Sequence, residues 1–234
     1  MTTLSSLVSL LILSTAALAQ TASIPVVDKS PPDSPLANTG TVTVVENDNG
    51  DTATLSFNDN WTATNKSSKS IIAVVETLVV HYPNGNSDLM QSAYDAFFSR
   101  KNIEPGGTMN LSSPADMRKA EPIRSAFQIR PPSDEAVVRW VQFEDGTTFG
   151  DGAYAKDLVA NRAAVLRALQ ALDQVYVRQG SEEFARQVQR TIPQDGYIDQ
   201  FRRLQAREGT QAAIDEIRMK LAAAEARTEL WAKN

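Results

Sequence analysis

The side chains able to carry out chemistry are few. Histidine occurs once, at His81, and cysteine not at all. One imidazole cannot build a multi-histidine metal centre, and without thiols there are no disulfides, Cys-based zinc sites or thiol nucleophiles. At the end of an apolar run, His81 reads as a satisfied or half-exposed residue, and a His-dependent triad is nearly excluded. Carboxylates are then the remaining acid/base groups. Glu144 and Asp145 sit on a turn, and Asp151 follows four residues beyond Thr147. Glycoside hydrolysis needs two such groups from different segments roughly 5–9 Å apart, whereas turn chemistry alone accounts for Asp145 and Asp151. Glu76 interrupts the apolar run IIAVVETLVV and reads as an acid near a strand edge or paired with an arginine. Arg139 and Arg162 each fall on an apolar face, as anion contacts or, more simply, as snorkelling or ion-paired residues. Asn47–Asp51 resembles a calcium loop only superficially: with Gly50 at the invariant glycine, Val45 takes the first ligand position. The glycines mark turns and form no phosphate loop. No catalytic, cofactor-binding or metal residue is assigned, and the chain reads as a non-enzyme.

The elements that hold these groups change character near the middle of the chain. Val137 to Phe143 alternates as a strand, Asp145-Gly146 turns, and from Ala153 the apolar period becomes helical. With a two-residue turn, Trp140, Gln142 and Phe149 would share one face and Val141 and Phe143 the other. Upstream, TVTVVE (41–46) and ATLSF (53–57) form a hairpin. Residues 71–83 are apolar on both faces, as in a central strand, and Tyr82–Gly85 turns. Residues 88–101 fit a short helix or an aromatic-bearing loop, Met109–Leu111 a short strand, 114–122 a loop, and RSAFQIR (124–130) a strand. Seven or so strands with turns every 8–15 residues point to an antiparallel β-sandwich over 41–152. Downstream, Ala153–Gln179 is a long amphipathic helix that Gly180 can end and Ser181 recap. A short helix follows, then one from Tyr197 to about Glu208, then a last with Ile214, Ile217, Leu221, Ala224 and Trp231 as its stripe. The fold class is thus α+β, with three to four helices over 153–234. The first helix, at ~40 Å, outreaches a ~20 Å strand, and the later helices are expected to cover the excess, with self-association as the other solution.

Three strings carry a resemblance: Asn65–Ala73, Tyr82–Gly85 and Glu104–Thr108 look like strand–turn signatures of bacterial secreted sandwich modules. Trp140–Gly152 is similar to the junction in uncharacterised exported bacterial proteins with an immunoglobulin/fibronectin-like sandwich and a helical C-terminal region. The resemblance spans about 41–180 and implies a fold and a compartment, but no activity.

Residues 1–19 contain LVSLLIL and end Ala17-Leu18-Ala19 before Gln20, the small-residue pattern of signal-peptide cleavage, though without a basic n-region. The apolar core is short of the ~20 residues a membrane span requires. Export to the periplasm or medium is expected, followed by a flexible Pro-rich tether over 20–40 with Pro25, Pro31, Pro32 and Pro35. Residues 1–150 carry 10 basic against 16 acidic side chains and 151–234 carry 13 against 12; neither half has the basic excess a nucleic-acid binder needs. The expected function is a binding module for a protein or envelope component, marked by exposed apolar or aromatic patches. The rival is a carboxylate-dependent hydrolase of envelope glycans. Asn60, Asn65 and Asn110 open sequons, a weak signal in a Ser/Thr-rich chain.

Overall fold

The computed structural model describes residues 20–48, 52–81, 87–99, 101–110, 117–122, 133–190 and 196–230. The leader (1–19), the 82–86 turn and the 124–130 strand therefore lie outside the described residues. Among the described residues nine strands form one mixed, curled sheet: β1 (Gln20–Asp28), β2 (Leu36–Asp48), β3 (Thr52–Asn65), β4 (Ile71–His81), β5 (Ser87–Asp95), β6 (Thr108–Asn110), β7 (Met117–Pro122), β8 (Ser133–Phe143) and β9 (Thr148–Gly150). The main path runs β5-β4-β8-β1-β2-β3-β6, with β7 on β3 and β9 on β8. Helices α1 (Lys156–Arg190), α2 (Gly196–Glu208) and α3 (Thr210–Glu225) follow a 3-10 turn at Gly152–Ala155, and another 3-10 turn lies at Thr228–Leu230.

Residues 20–40 depart from the expected tether. Ile24 and Val26 alternate with exposed neighbours and are buried, as is Leu36, so β1 has enough apolar surface to be held in place. From Gln20 to Pro25 it pairs antiparallel with β2, and from Val26 to Asp28 it pairs parallel with β8. Pro25, which has no N–H to donate, stands where the strand passes from one partner to the other. This parallel seam makes the sheet mixed rather than antiparallel. Residues 117–122, expected as loop, add β7 to β3, and β5 resolves the ambiguous 88–101 segment as a strand followed by a turn.

The curled sheet encloses a core from both of its halves: Ile24, Leu36, Val42, Trp61, Val74, Leu78, Val138, Val141 and Phe143 among others. Its outer side at β4 and β8 receives the helices. Ile72, Phe97 and Phe98 pack with Val165, Leu169, Phe184, Phe201, Ile214 and Ile217, and Val75 and Trp140 with Ala155. β4 is covered on both faces, as its two apolar faces implied. In α1, Gly180 has φ 81° and ψ −176° and interrupts the helix where the sequence placed the break. α2 and α3 pack on α1, so the later helices cover the overhang.

The joint differs from the expected two-residue turn. Phe143 N–H donates to Thr147 O (2.9 Å) and Gly146 N–H to Phe143 O (3.0 Å), and Gly146 has φ 82°. Three residues, Glu144–Gly146, make the loop, with glycine at the left-handed position. The extra residue shifts the register, so Phe149 faces Val141 rather than joining Trp140, and a one-residue shift exchanges faces.

Candidate functional site

The junction between sheet and helices is built around two buried arginines. Arg162 in α1 is 2% exposed. Its Nε and Nη2 donate to Asp95 Oδ2 (2.8 Å) and Oδ1 (2.9 Å) at the end of β5, and Nη1 donates to Gln142 Oε1 (2.8 Å) in β8. The guanidinium also stacks over Phe97 at 4.5 Å. Gln142 Nε2 in turn donates to Leu230 O (3.3 Å). The ion-paired reading of Arg162 holds, and the pair ties one helix to two strands.

Arg227 follows α3 and is also buried. It donates to the carbonyls of Ala96 and Ser99, to Phe97 O (3.0 Å), and through Nη2 to Asn102 Oδ1 (2.8 Å). Asn102 then donates through Nδ2 to Glu144 Oε1 (2.9 Å). One side chain thus joins the arginine of the helical half to the hairpin turn of the sheet.

Between these parts lies a cleft of about 610 Å³ lined by Asn102, Glu144, Asp145, Ala223, Ala226, Arg227, Glu229 and Leu230. Its exposed rim carries the carboxylates of Glu144, Asp145 and Glu229. Asp145 is paired with Lys69 at 2.7 Å and accepts from the Thr147 amide (2.9 Å) and hydroxyl (2.6 Å). The Lys69 contact, with these two bonds, holds its carboxyl well below the usual range. Sequence reasoning found Glu144 and Asp145 but missed Asn102, Arg227, Glu229 and Asp95.

The other candidates go elsewhere. Asp151 caps the 3-10 turn, accepting from Ala153 N–H (2.8 Å). Arg139 is the extra residue of a β-bulge: Val75 faces Trp140 and Glu76 faces Val138, leaving Arg139 without an opposite number. Its Nε donates to Thr77 Oγ1 (3.1 Å), and its guanidinium lies 5.4 Å from the Tyr154 ring.

Glu76 is neither near a strand edge nor ion-paired in the structure. It is fully buried in mid-β4, on the inner face between Val74 and Leu78. Burial pushes its carboxyl up to about 7; the facing Asn38 carboxamide opposes the shift, and the charge on Asp28 adds to it. The Asn38 carboxamide eases the carboxylate electrostatically, while neither carboxyl oxygen has a hydrogen bond within ordinary limits.

His81 is partly exposed, with Nδ1 2.8 Å from Ser87 Oγ and Nε2 3.6 Å from Glu135. This Ser–His–Glu row lies along neighbouring strands, with side chains 34–39% exposed at His81 and Glu135. Asn65 is 1% exposed and donates to Lys69 O and Ile103 O, both at 2.8 Å. Its sequon is therefore occupied by the fold, whereas Asn60 and Asn110 are exposed.

Among the described residues no group of three or more His, Asp or Glu stands close enough to hold a metal ion. No helix among them is long and apolar enough to cross a membrane. Compared with protein-family models, curated proteins and solved structures, the chain gives no match.

Proposed function

We propose that the chain is an exported, non-catalytic binding module whose working surface is the cleft at the sheet–helix junction. The observation that carries this reading is the way the cleft is built: three separate segments meet there, fixed by Arg227 and Asn102, and each presents side chains to one concavity. Pre-positioned side chains lose little freedom on binding. The cleft differs in character from the expected exposed apolar patch: the large exposed apolar residues among those described, Val27, Leu89, Val177 and Met219, stand outside its lining.

The rim selects charge. Glu144 and Glu229 are acidic and Asp145 is matched by Lys69, while the lining cation, Arg227, is buried and donates to backbone carbonyls and Asn102. A lysine or arginine side chain of a protein partner suits this arrangement better than an anion. The rival hydrolase reading needs a carboxyl that holds a proton at neutral pH beside one that does not. The group with that proton affinity, Glu76, is inside the sheet, while Asp145 in the cleft is held ionised by Lys69. These placements favour binding over hydrolysis.

Export rests on the LVSLLIL core and the Ala17-Leu18-Ala19 pattern, and the resemblance to secreted bacterial sandwich modules points the same way. The immunoglobulin-like reading of the sheet draws on its two facing halves and the first strand they share.

Calorimetric titration with short lysine-containing and glutamate-containing peptides tests the assignment. Binding of the lysine peptide that weakens with salt and is lost in Glu144→Lys and Glu229→Lys supports it. Equal binding of both peptides, or of neither, overturns it.

A further inference from the structure

The inner face of the sheet holds polar groups that the proposed binding surface does not use. Glu76 in β4 is 0% exposed, Asn38 in β2 is 5% exposed and Trp61 in β3 is 2% exposed. Both Glu76 oxygens, both Asn38 side-chain polar atoms and the Trp61 Nε1 are buried without a hydrogen-bond partner. Such groups are satisfied in nearly all folded proteins, by protein or by ordered water, because stripping them of partners is costly.

Their positions bring them together. Asn38 pairs with Ala63, and Gly40 with Trp61, so Asn38 and Trp61 are diagonal neighbours on one face. That face also carries Leu36, Val42 and Ala63 of the core. Asn38 faces Glu76 across the core closely enough to act on its carboxyl. The indole donor of β3 thus stands beside the carboxamide of β2, and that carboxamide faces the carboxyl of β4.

We propose that Glu76, Asn38 and Trp61 form an internal polar site that binds ordered water and takes up a proton on folding at neutral pH. A water molecule accepts from the indole N–H and the protonated carboxyl and donates to the amide oxygen, so each group gains a partner. The proton is retained because the other faces supply no neutralising cation among the described groups. From β1 comes the carboxylate of Asp28, whose Oδ2 accepts from the Asn38 backbone N–H (2.8 Å). From β5 comes Ser92, opposite Glu76. From β8 come Val138 opposite it and, farther along, Asp134 opposite Val80. Asp28, at the exposed side of Asn38, makes deprotonation of Glu76 harder still.

Water–proton cross-relaxation NMR on the folded chain provides the first test, read at the Trp61 indole N–H and the Asn38 carboxamide at pH 6. Cross-peaks from water resident longer than molecular tumbling are expected at both, and in Glu76→Gln as well, since glutamine keeps a donor. Their absence in the wild type overturns the water site. The second test is denaturant unfolding of wild type and Glu76→Gln. The wild-type folding constant is expected to fall about tenfold, relative to the variant, from pH 6 to pH 8. Parallel curves overturn proton uptake. Because the wild-type NMR measurement stands alone, the water assignment remains testable even if the variant does not fold.

Discussion

Glu76 shows how one residue sets a pH dependence. Its folded carboxyl holds a proton up to about pH 7, against an ordinary value of 4.5. The folded state therefore binds more protons than the unfolded chain between these values. Stability is fully present below about pH 4.5 and falls as the pH rises through 7, by about 3 kcal/mol over the whole interval. Glu76→Gln is accordingly expected to be more stable than wild type at pH 8 by up to that amount, and urea unfolding checks it. Arg162 makes the opposite point, since its charge is kept and paired. Asp95→Ala leaves the guanidinium buried with only Gln142 as side-chain hydrogen-bond partner and is expected to cost about 3 kcal/mol. Adding Arg162→Leu should recover part of that loss, a coupling that a double-mutant cycle measures directly. The ion-paired role of Arg162 was legible from an arginine on an apolar helix face. The burial of Glu76 was not drawn from the sequence even though its run implied two covered faces, because an acid is so rarely buried unpaired that a strand edge or an arginine partner was the simpler expectation.

At the scale of elements, the joint depends on backbone fit. Gly150 has φ +87°, and a Cβ there would lie 2.2 Å from Arg139 O, the carbonyl of the bulged residue. That carbonyl also accepts Asp151 N–H (3.0 Å). Gly150→Ala is expected to cost at least ~2 kcal/mol in thermal or denaturant unfolding, from the strained dihedral and from displacement of the chain entering α1. The bulge at Arg139 switches the alternation of β8: Ala136 and Val138 face the enclosed core, as do Val141 and Phe143, while Trp140 and Gln142 turn to the helices. A strict two-residue period could not reveal this, and it explains why Arg139 had no place in the alternating pattern. The helix break at Gly180 was readable because glycine and a following capping residue mark it locally. β1 was not readable, because Pro25 and the prolines that follow the strand resemble a linker until the parallel seam with β8 supplies a partner from more than 100 residues away.

In the whole molecule, the sheet and helices meet over two buried arginines and one asparagine, and the cleft is a product of that meeting. The change from strand to helical pattern near residue 150 was plain in the sequence, as was the acidic turn Glu144-Asp145. The cleft itself was not, because Asn102, Arg227 and Glu229 belong to segments with no pattern linking them to that turn. Asn102→Ala removes the bridge between Arg227 and Glu144. It is expected to weaken lysine-peptide binding at least severalfold in calorimetry, with a smaller effect on stability. The most direct measurement is NMR shift mapping during titration with a lysine-containing peptide. The account predicts perturbations centred on Asn102, Glu144, Asp145, Ala223, Ala226 and Glu229, saturating together. Perturbations centred instead on the exposed face of β5 around Leu89, with the cleft residues unmoved, would contradict it.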